Sequence, residues 1–213
     1  YHDPGMPPTF DGTLADSYKW NFSLVALWSS HLDPADGVMV DISPASVGNV
    51  QSYPAGFEDY PTFYDAIEGG DASPGHAVNP VTGAPYAPQL VPRGDYGRVL
   101  AEFWADGPDS ETPPGHWFVI SNEVNDHELL SRRLGGAGPE LSRLEWDTKT
   151  YFVLGGAMHD SAISAWGIKG WYDYIRPVSA LRAMAALGQS SDPLLPSYHI
   201  DGIGLEPGFI ELI

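Results

Sequence analysis

Two basic residues in the last third of the chain have the types and the spacing to bind an oxyanion. Lys169 and Arg176 stand seven positions apart, about two turns of an α-helix, so both side chains can face the same side. Lysine supplies a point charge and arginine a planar fork of donors, which together suit a tetrahedral oxyanion. Pro177 follows, and proline fits the first turn of a new helix, whose N-terminus favours negative charge. Lys169, Arg176, Pro177 and the N-terminus of the following helix together predict an oxyanion cradle, that is, a binding site for a tetrahedral anion.

The same pair also has an ordinary interpretation, as surface or helix-capping residues, because a lysine and an arginine at this spacing are a weak signal alone. The net charge of the chain helps to choose between an anion site and ordinary surface residues. Acidic residues outnumber basic ones 28 to 10, giving a net charge of −18. Such a field repels nucleic acid and anionic membranes, so neither is an expected partner. An anion site in this chain must therefore be built from a few local bases, and Lys169 and Arg176 lie among aromatic residues rather than acids.

The sequence around this pair resembles a known family. Lys-x6-Arg-Pro is the first signature of the superfamily of vanadate-dependent haloperoxidases and type 2 phosphatidic acid phosphatases. Here it follows Asp160-Ser-Ala-Ile-Ser-Ala-Trp-Gly-Ile, which is similar to the haloperoxidase version of that helix. Other segments also resemble the family, namely Glu102-Phe-Trp-Ala-Asp-Gly-Pro, Thr112-Pro-Pro-Gly-His-Trp, Asp41-Ile-Ser-Pro-Ala and Asn79-Pro-Val-Thr-Gly. The resemblance covers most of the chain and is most specific between residues 95 and 202.

The resemblance implies a vanadate-dependent haloperoxidase, which uses hydrogen peroxide to oxidise a halide to hypohalous acid. Lys169 and Arg176 would hold the vanadate cofactor. Trp166, one helical turn before Lys169, would lie beside the halide, although a core aromatic is an equally good interpretation of it. Asp106 falls near an aspartate that pairs with the family's second arginine. The axial histidine that binds vanadium is expected outside this chain.

The rest of the family's site is expected from a second polypeptide or from a C-terminal continuation. That part would supply a Ser-Gly-His segment, the second arginine and the axial histidine. The apolar run that ends at Ile213 looks interrupted, which agrees with this expectation. Pro196-Ser197-Tyr198-His199 is similar to the Ser-Gly-His segment, but tyrosine replaces the glycine that must approach the anion closely, so we interpret it as a decoy. A homo-oligomer is also possible.

Two other functions stay open on the sequence. The first is an acid phosphatase-type phosphohydrolase, because phosphate and vanadate share charge and shape. The second is a non-catalytic subunit or degenerate homologue. The absence of cysteine excludes thiolate sites and disulfides, and no zinc or serine-hydrolase motif is present. No apolar run is long enough to span a membrane. The compartment stays open, with a secreted or periplasmic location preferred.

The elements that position these residues are predicted to be mainly helical. The resemblance implies a helical bundle like that of vanadium chloroperoxidase, with long ordered loops, incomplete in this chain. We expect one domain with a loop-rich region over residues 1–94, a helical part over residues 95–213, and a missing C-terminal portion. Apolar spacing predicts a long buried helix over 141–169, and Pro177 and Gly188 bound a final helix. The other predicted helices cover residues 19–30, 61–67, 96–103 and 116–130.

Overall fold

The structure, a computed structural model, describes residues 3, 5–80, 82–104, 111 and 115–213. Of these residues 45% are helical, which confirms the mainly α prediction. The helices are α1 (Ala15–Ser30), α2 (Tyr60–Phe63), α3 (Arg93–Trp104), α4 (Gly115–Asp126), α5 (Arg143–Tyr172) and α6 (Pro177–Leu187). Short 3-10 turns cover Phe57–Asp59 and Leu134–Gly136. In the part of the chain that the structure describes, no helix has both the length and the apolar content to cross a membrane.

The chain divides into two compact units. The first contains Tyr1–Gly5 and Glu102–Asp173, and the second contains Met6–Ala101 and Tyr174–Ile213. Each unit therefore combines an N-terminal piece with a later one. The predicted division of a single domain at residue 94, with a missing C-terminal portion, stays a prediction.

The core of the second unit lies between α1 and α6. Tyr18 and Phe22 are one turn apart on α1, and their rings meet edge to face at 4.7 Å. Ala180 and Met184 are one turn apart on α6 and are completely buried. Burying a large apolar side chain contributes about 1.5–3 kcal/mol to folding. This small cluster is completed by partly buried residues, Phe10, Leu181 and Ile203.

A short antiparallel ribbon in the second unit was not predicted from the sequence. Strand β1 (Met39–Asp41) pairs with β2 (Leu90–Pro92), with Val40 opposite Val91. Asp41 fixes the turn that follows β1, because its carboxylate accepts hydrogen bonds from the backbone N–H groups of Gln89 at 2.8 Å and Ser43 at 2.9 Å. These bonds lower the pKa of Asp41 to about 2.

The first unit is built on α4 and α5. Ser142 caps α5, its hydroxyl accepting the N–H of Glu145 at 3.3 Å. Trp146 Nε1 donates to Asn125 Oδ1 at 2.8 Å, and the rings of Phe118 and Tyr151 meet edge to face with centroids 5.6 Å apart. The contacts between the two helices therefore involve the first half of α5.

The prediction of a long helix ending near Lys169 is confirmed, but the prediction that this helix is buried is wrong. None of the 30 residues of α5 is buried. Phe152 is 82% exposed and Trp171 is 80% exposed. Apolar residues occur on several sides of α5, whereas α4 covers only part of one side among the described residues. Apolar composition alone therefore did not predict burial.

Two shorter helices end earlier than predicted. α4 ends at Asp126 instead of continuing to residue 130, because a turn follows in which the N–H of Leu130 donates to the carbonyl of His127 at 3.0 Å. α2 is a single turn that ends at Phe63, because Tyr64 is extended and Asp65 Oδ1 accepts the N–H of Glu68 at 2.8 Å to form a new turn.

Candidate oxyanion site

Lys169 lies in the last turn of α5, within the first unit. The helix ends where Asp173 takes a left-handed conformation (φ 43°, ψ 48°) and donates its N–H to the carbonyl of Lys169 at 2.9 Å. Aspartate is among the few non-glycine residues that tolerate this conformation. The side chain of Lys169 is exposed, and Trp166, three residues earlier, is 68% exposed. Residues three apart share a helix face, so the indole and the ammonium belong to the same flank of α5.

Arg176 is the N-cap residue of α6, within the second unit. Its backbone is extended (ψ 144°), and its carbonyl accepts the N–H groups of Ser179 at 3.0 Å and Ala180 at 3.1 Å. Pro177 occupies the first helical position, as the sequence predicts. The first turn of α6 contains no acidic residue, so no side chain of that turn offsets the partial positive charge of this helix end. An exposed arginine at the positive end of a helix is a favourable place for an anion.

The basic side chains of the chain fall into two groups. Seven of the ten make a hydrogen bond or an ion pair within the described residues: Lys19, Arg93, Arg98, Arg132, Arg133, Arg143 and Lys149. Lys169, Arg176 and Arg182 make none with any described residue. These three lie within 14 consecutive positions. In a chain with 28 acidic residues, a group of unpaired cations so close in sequence is the most distinctive electrostatic feature of the described structure.

Arg182 is the residue of this group that the sequence did not single out. Arg176 and Arg182 both line an open cleft in the second unit, together with Ser29 and Leu181. Arg182 belongs to no motif, and it is distinctive because it has no acidic partner among the described residues. A survey of which bases have an acid one turn away along a helix would have pointed to it.

Three predictions about the site residues are not tested by the described structure. Lys169 lies in one unit and Arg176 in the other, so the convergence of their side chains stays a prediction. Asp106 lies outside the described residues. The proximity of Trp166 to a halide also stays a prediction.

The segment Pro196–His199 forms part of a tight loop around Gln189, which is completely buried. The Gln189 N–H donates to the carbonyl of Ser197 at 2.9 Å, and its own carbonyl accepts the N–H of His199 at 2.8 Å. Ser197 has a positive φ of 57°. Gly188 is required next to it, because a Cβ there would lie 1.9 Å from the Ser197 carbonyl oxygen. These contacts give the segment a structural role, and its interpretation as a decoy stays a prediction.

Vanadate and phosphate are anions, so the relevant donors are N–H groups and cations rather than metal-ligating carboxylates. Lys169, Arg176 and the N–H groups at the start of α6 are donors of the required kind. Within the described ranges, no cluster of three or more histidine and acidic side chains is placed to hold a metal ion.

Comparison with known proteins adds no relative. No protein-family model matches the sequence. The comparison found no curated protein and no solved structure that matches the chain. The functional argument therefore depends on the residues of this chain.

Proposed function

We propose that the chain supplies the first half of the oxyanion site of a vanadate-dependent haloperoxidase, an enzyme that uses hydrogen peroxide to oxidise halide to hypohalous acid. The observation that carries the proposal is the group of three basic side chains, Lys169, Arg176 and Arg182, that have no partner among the described residues. An unpaired cation in an otherwise acidic chain is available for an external anion.

Lys169 and Arg176 have distinct parts in the proposal. Lys169 presents a compact charge with three N–H donors, and Arg176 presents a planar fork that matches two oxygens of a tetrahedral anion. The N-terminus of α6 adds partial positive charge behind Arg176. Bound vanadate would supply a Lewis acid that activates hydrogen peroxide toward halide. The exposed indole of Trp166, three residues from Lys169, would form an apolar wall on the halide side.

The exposed surface of α5 supports the second part of the proposal. A second polypeptide or a C-terminal continuation covers this helix and supplies the Ser-Gly-His segment, the second arginine and the axial histidine. Phe152, Trp166 and Trp171, each more than 60% exposed, present aromatic surface of a kind that usually marks a contact. The resulting interface would be large and apolar. Covering the site would also strengthen the charge interactions of Lys169, because it lowers the local dielectric constant.

The decisive experiment uses the complete protein with its partner or continuation, loaded with vanadate. We expect Lys169→Ala to lower the rate of peroxide-dependent bromide oxidation by roughly 10²–10³-fold, the usual cost of removing one preorganised donor from a transition state. Lys149→Ala is the matched control on the same helix, because Lys149 is paired with Glu145 at 2.6 Å. Its rate should match that of the wild type. Circular dichroism checks that both variants fold.

The same preparation distinguishes the two alternatives. Hydrolysis of p-nitrophenyl phosphate without bromide oxidation would identify a phosphohydrolase on the same cradle. Absence of both activities in a protein that carries the complete site would identify a non-catalytic homologue. Bromide oxidation that is unchanged in Lys169→Ala would exclude the role proposed for this residue.

A further inference from the structure

A cavity of about 390 Å³ lies in the second unit and uses none of the residues of the proposed oxyanion site. Its volume falls in the range of small-molecule sites, about 300–1,000 Å³. Four separate segments between residues 28 and 100 form its wall, and most of that wall is apolar. A ligand that fits this cavity therefore needs an apolar body.

The indole of Trp28 is a fixed part of the apolar wall. Its Nε1 donates to the carbonyl of Asp65 at 3.2 Å, and its ring meets that of Tyr64 edge to face with centroids 5.3 Å apart. The indole N–H is already used, so Trp28 offers a ligand ring surface rather than a hydrogen bond. Tyr96 and Leu100, one turn apart on α3, also line the cavity. The apolar wall therefore includes two aromatic rings.

Three carboxylates, those of Asp41, Glu68 and Asp71, also line the cavity. Hydrogen bonds from backbone N–H groups hold the pKa of Asp41 at about 2, so this group is ionised at neutral pH. Asp71 Oδ1 accepts the N–H of Ser73 at 2.8 Å, which fixes the position of this carboxylate. Asp71 Oδ2 and both carboxylate oxygens of Glu68 accept no hydrogen bond from any described residue. These oxygens are available to a ligand that donates.

The positive charge of Arg93, which also lines the cavity, is offset by a carboxylate outside the wall. Its Nε and Nη2 donate to Asp36 Oδ2 at 3.1 and 3.0 Å, and its Nη1 donates to the carbonyls of Ile67 and Glu68. His31 lines the cavity as well, but burial lowers its pKa, so it is uncharged at pH 7. The three acids of the wall therefore face a single base that already has an acidic partner. This balance favours a cation and opposes an anion.

The rings and the available carboxylates differ in exposure. Trp28 and Tyr96 are half-buried, whereas Glu68 and Asp71 are exposed. A ligand can therefore pack an apolar body against the rings and keep its charge near the exposed carboxylates, where water still reaches it. Such a placement avoids the large cost of burying an ion.

We propose that this cavity binds an organic ammonium ion with an aromatic body, its rings against Trp28 and Tyr96 and its ammonium group against the carboxylates of Glu68 and Asp71. The proposal is independent of the oxyanion site, since it requires neither vanadate nor peroxide. It adds a cationic ligand to a chain whose other proposed ligand is an anion.

Isothermal titration calorimetry of the intact chain without vanadate tests the ligand class. The probe is 2-naphthylmethylammonium, and three compounds compete with it. We expect the neutral analogue 2-naphthylmethanol to bind about three- to tenfold more weakly than the probe, because it has no charge to pair with the exposed carboxylates. The anion 2-naphthoate should compete least among the naphthyl compounds. Methylammonium, which has the charge without the rings, should not displace the probe at equal concentration.

Three outcomes of this competition would overturn the proposal. They are equal affinity for 2-naphthylmethanol and the probe, stronger competition by 2-naphthoate than by the alcohol, and displacement of the probe by methylammonium at equal concentration.

A pair of charge-removing variants separates the cavity from the net charge of the chain. Glu68→Gln removes one carboxylate from the wall, and we expect it to weaken binding of the probe by about two- to fivefold. Glu128→Gln is the matched control, because it changes the net charge equally and Glu128 is an exposed residue of the first unit. Its affinity should match that of the wild type. Equal losses in the two variants would mean that the overall charge attracts the probe, and would overturn the proposal.

A pair of variants on α3 tests the location. Leu100 lines the cavity and is 37% exposed, so Leu100→Arg should place a bulky cation in the cavity without disturbing a tightly packed position. We expect it to weaken binding of the probe by about tenfold or more. Val99→Arg is the matched control, because Val99 is the preceding residue, is 63% exposed and does not line the cavity. Circular dichroism checks that both variants fold. Unchanged binding in Leu100→Arg, or equal loss in both variants, would place the ligand elsewhere and overturn the proposal.

Discussion

The helices α6 and α5 are both rich in apolar residues, yet the described chain covers them very differently. α6 buries Ala180 and Met184 completely against α1, whereas α5 buries none of its 30 residues. In α6 the buried residues repeat with helical spacing on one face, so one partner is enough. A helix that is apolar on several sides requires cover on several sides. The apolar content of a helix therefore predicts how much of its surface must be buried by other elements. Whether that surface is buried depends on which elements pack against the helix.

The largest expected effect comes from a pair of alanine substitutions, one in α6 and one in α5. Met184→Ala leaves a cavity in the completely buried α1–α6 contact, and we expect it to lower the free energy of unfolding by about 2–5 kcal/mol. Phe152→Ala removes a larger side chain from α5, but this side chain is 82% exposed, so the expected change is within about 0.5 kcal/mol. Urea unfolding of both variants, measured on this chain without the partner or continuation that we propose for α5, gives the difference. A large loss in Phe152→Ala would mean that α5 is covered in solution.

A smaller effect is expected within α5 itself. Trp146→Phe removes the donor to Asn125 Oδ1 and leaves that buried amide oxygen without its partner, so the free energy of unfolding should fall by about 1–3 kcal/mol. Trp171→Phe, near the other end of the helix, is the control because Trp171 is 80% exposed. Thermal or urea unfolding should show almost no change for it. Similar losses in the two variants would contradict the contrast between the two halves of α5.

The smallest expected effect is a pH-dependent change in the stability of the second unit, caused by Asp41. Hydrogen bonds from Gln89 and Ser43 hold the pKa of Asp41 at about 2, against an ordinary value of 3.8. A depressed carboxyl pKa contributes stability that is present above pH 3.8 and is lost as pH falls through about 2. We therefore expect Asp41→Asn to be less stable than the wild type at pH 6, and the difference to shrink between pH 4 and pH 2.

Unfolding midpoints measured across this pH range provide the check. Asp11→Asn is the control, because Asp11 is exposed. A difference between wild type and Asp41→Asn that stays constant with pH would exclude the proposed cause.

Local signals in the sequence predicted helix positions well. Pro177 and Gly188 bound α6 as expected, because proline fits the first turn and glycine takes the backbone conformation that ends a helix. α5 was placed within three residues at each end. The end of α4 was missed, because the turn after Asp126 depends on particular backbone hydrogen bonds rather than on composition.

Features that depend on distant residues were not predictable in the same way. Arg93 is paired with Asp36, which lies 57 positions earlier, so the sequence could not show that this arginine is unavailable to an anion. The same reason hid the unpaired state of Arg182. The cavity of about 390 Å³ in the second unit was not predicted either, because four separate segments between residues 28 and 100 form its wall. Lys169 and Arg176 were singled out because their spacing and the resemblance around them are local.

The contact between α1 and α6 has a consequence for the order in which the chain folds during synthesis. Tyr18 packs against Met184, which follows it by 166 residues, whereas Asn125 and Trp146 in the α4–α5 contact are only 21 residues apart. At typical rates of about 5–20 residues per second, the ribosome needs roughly 10–30 s to extend the chain from Tyr18 to Met184. During that interval the aromatic face of α1 has no α6 to pack against, whereas the contacts of Trp146 and Tyr151 with α4 involve residues that are made before α6. The first helix that the structure describes is therefore among the last to gain its core.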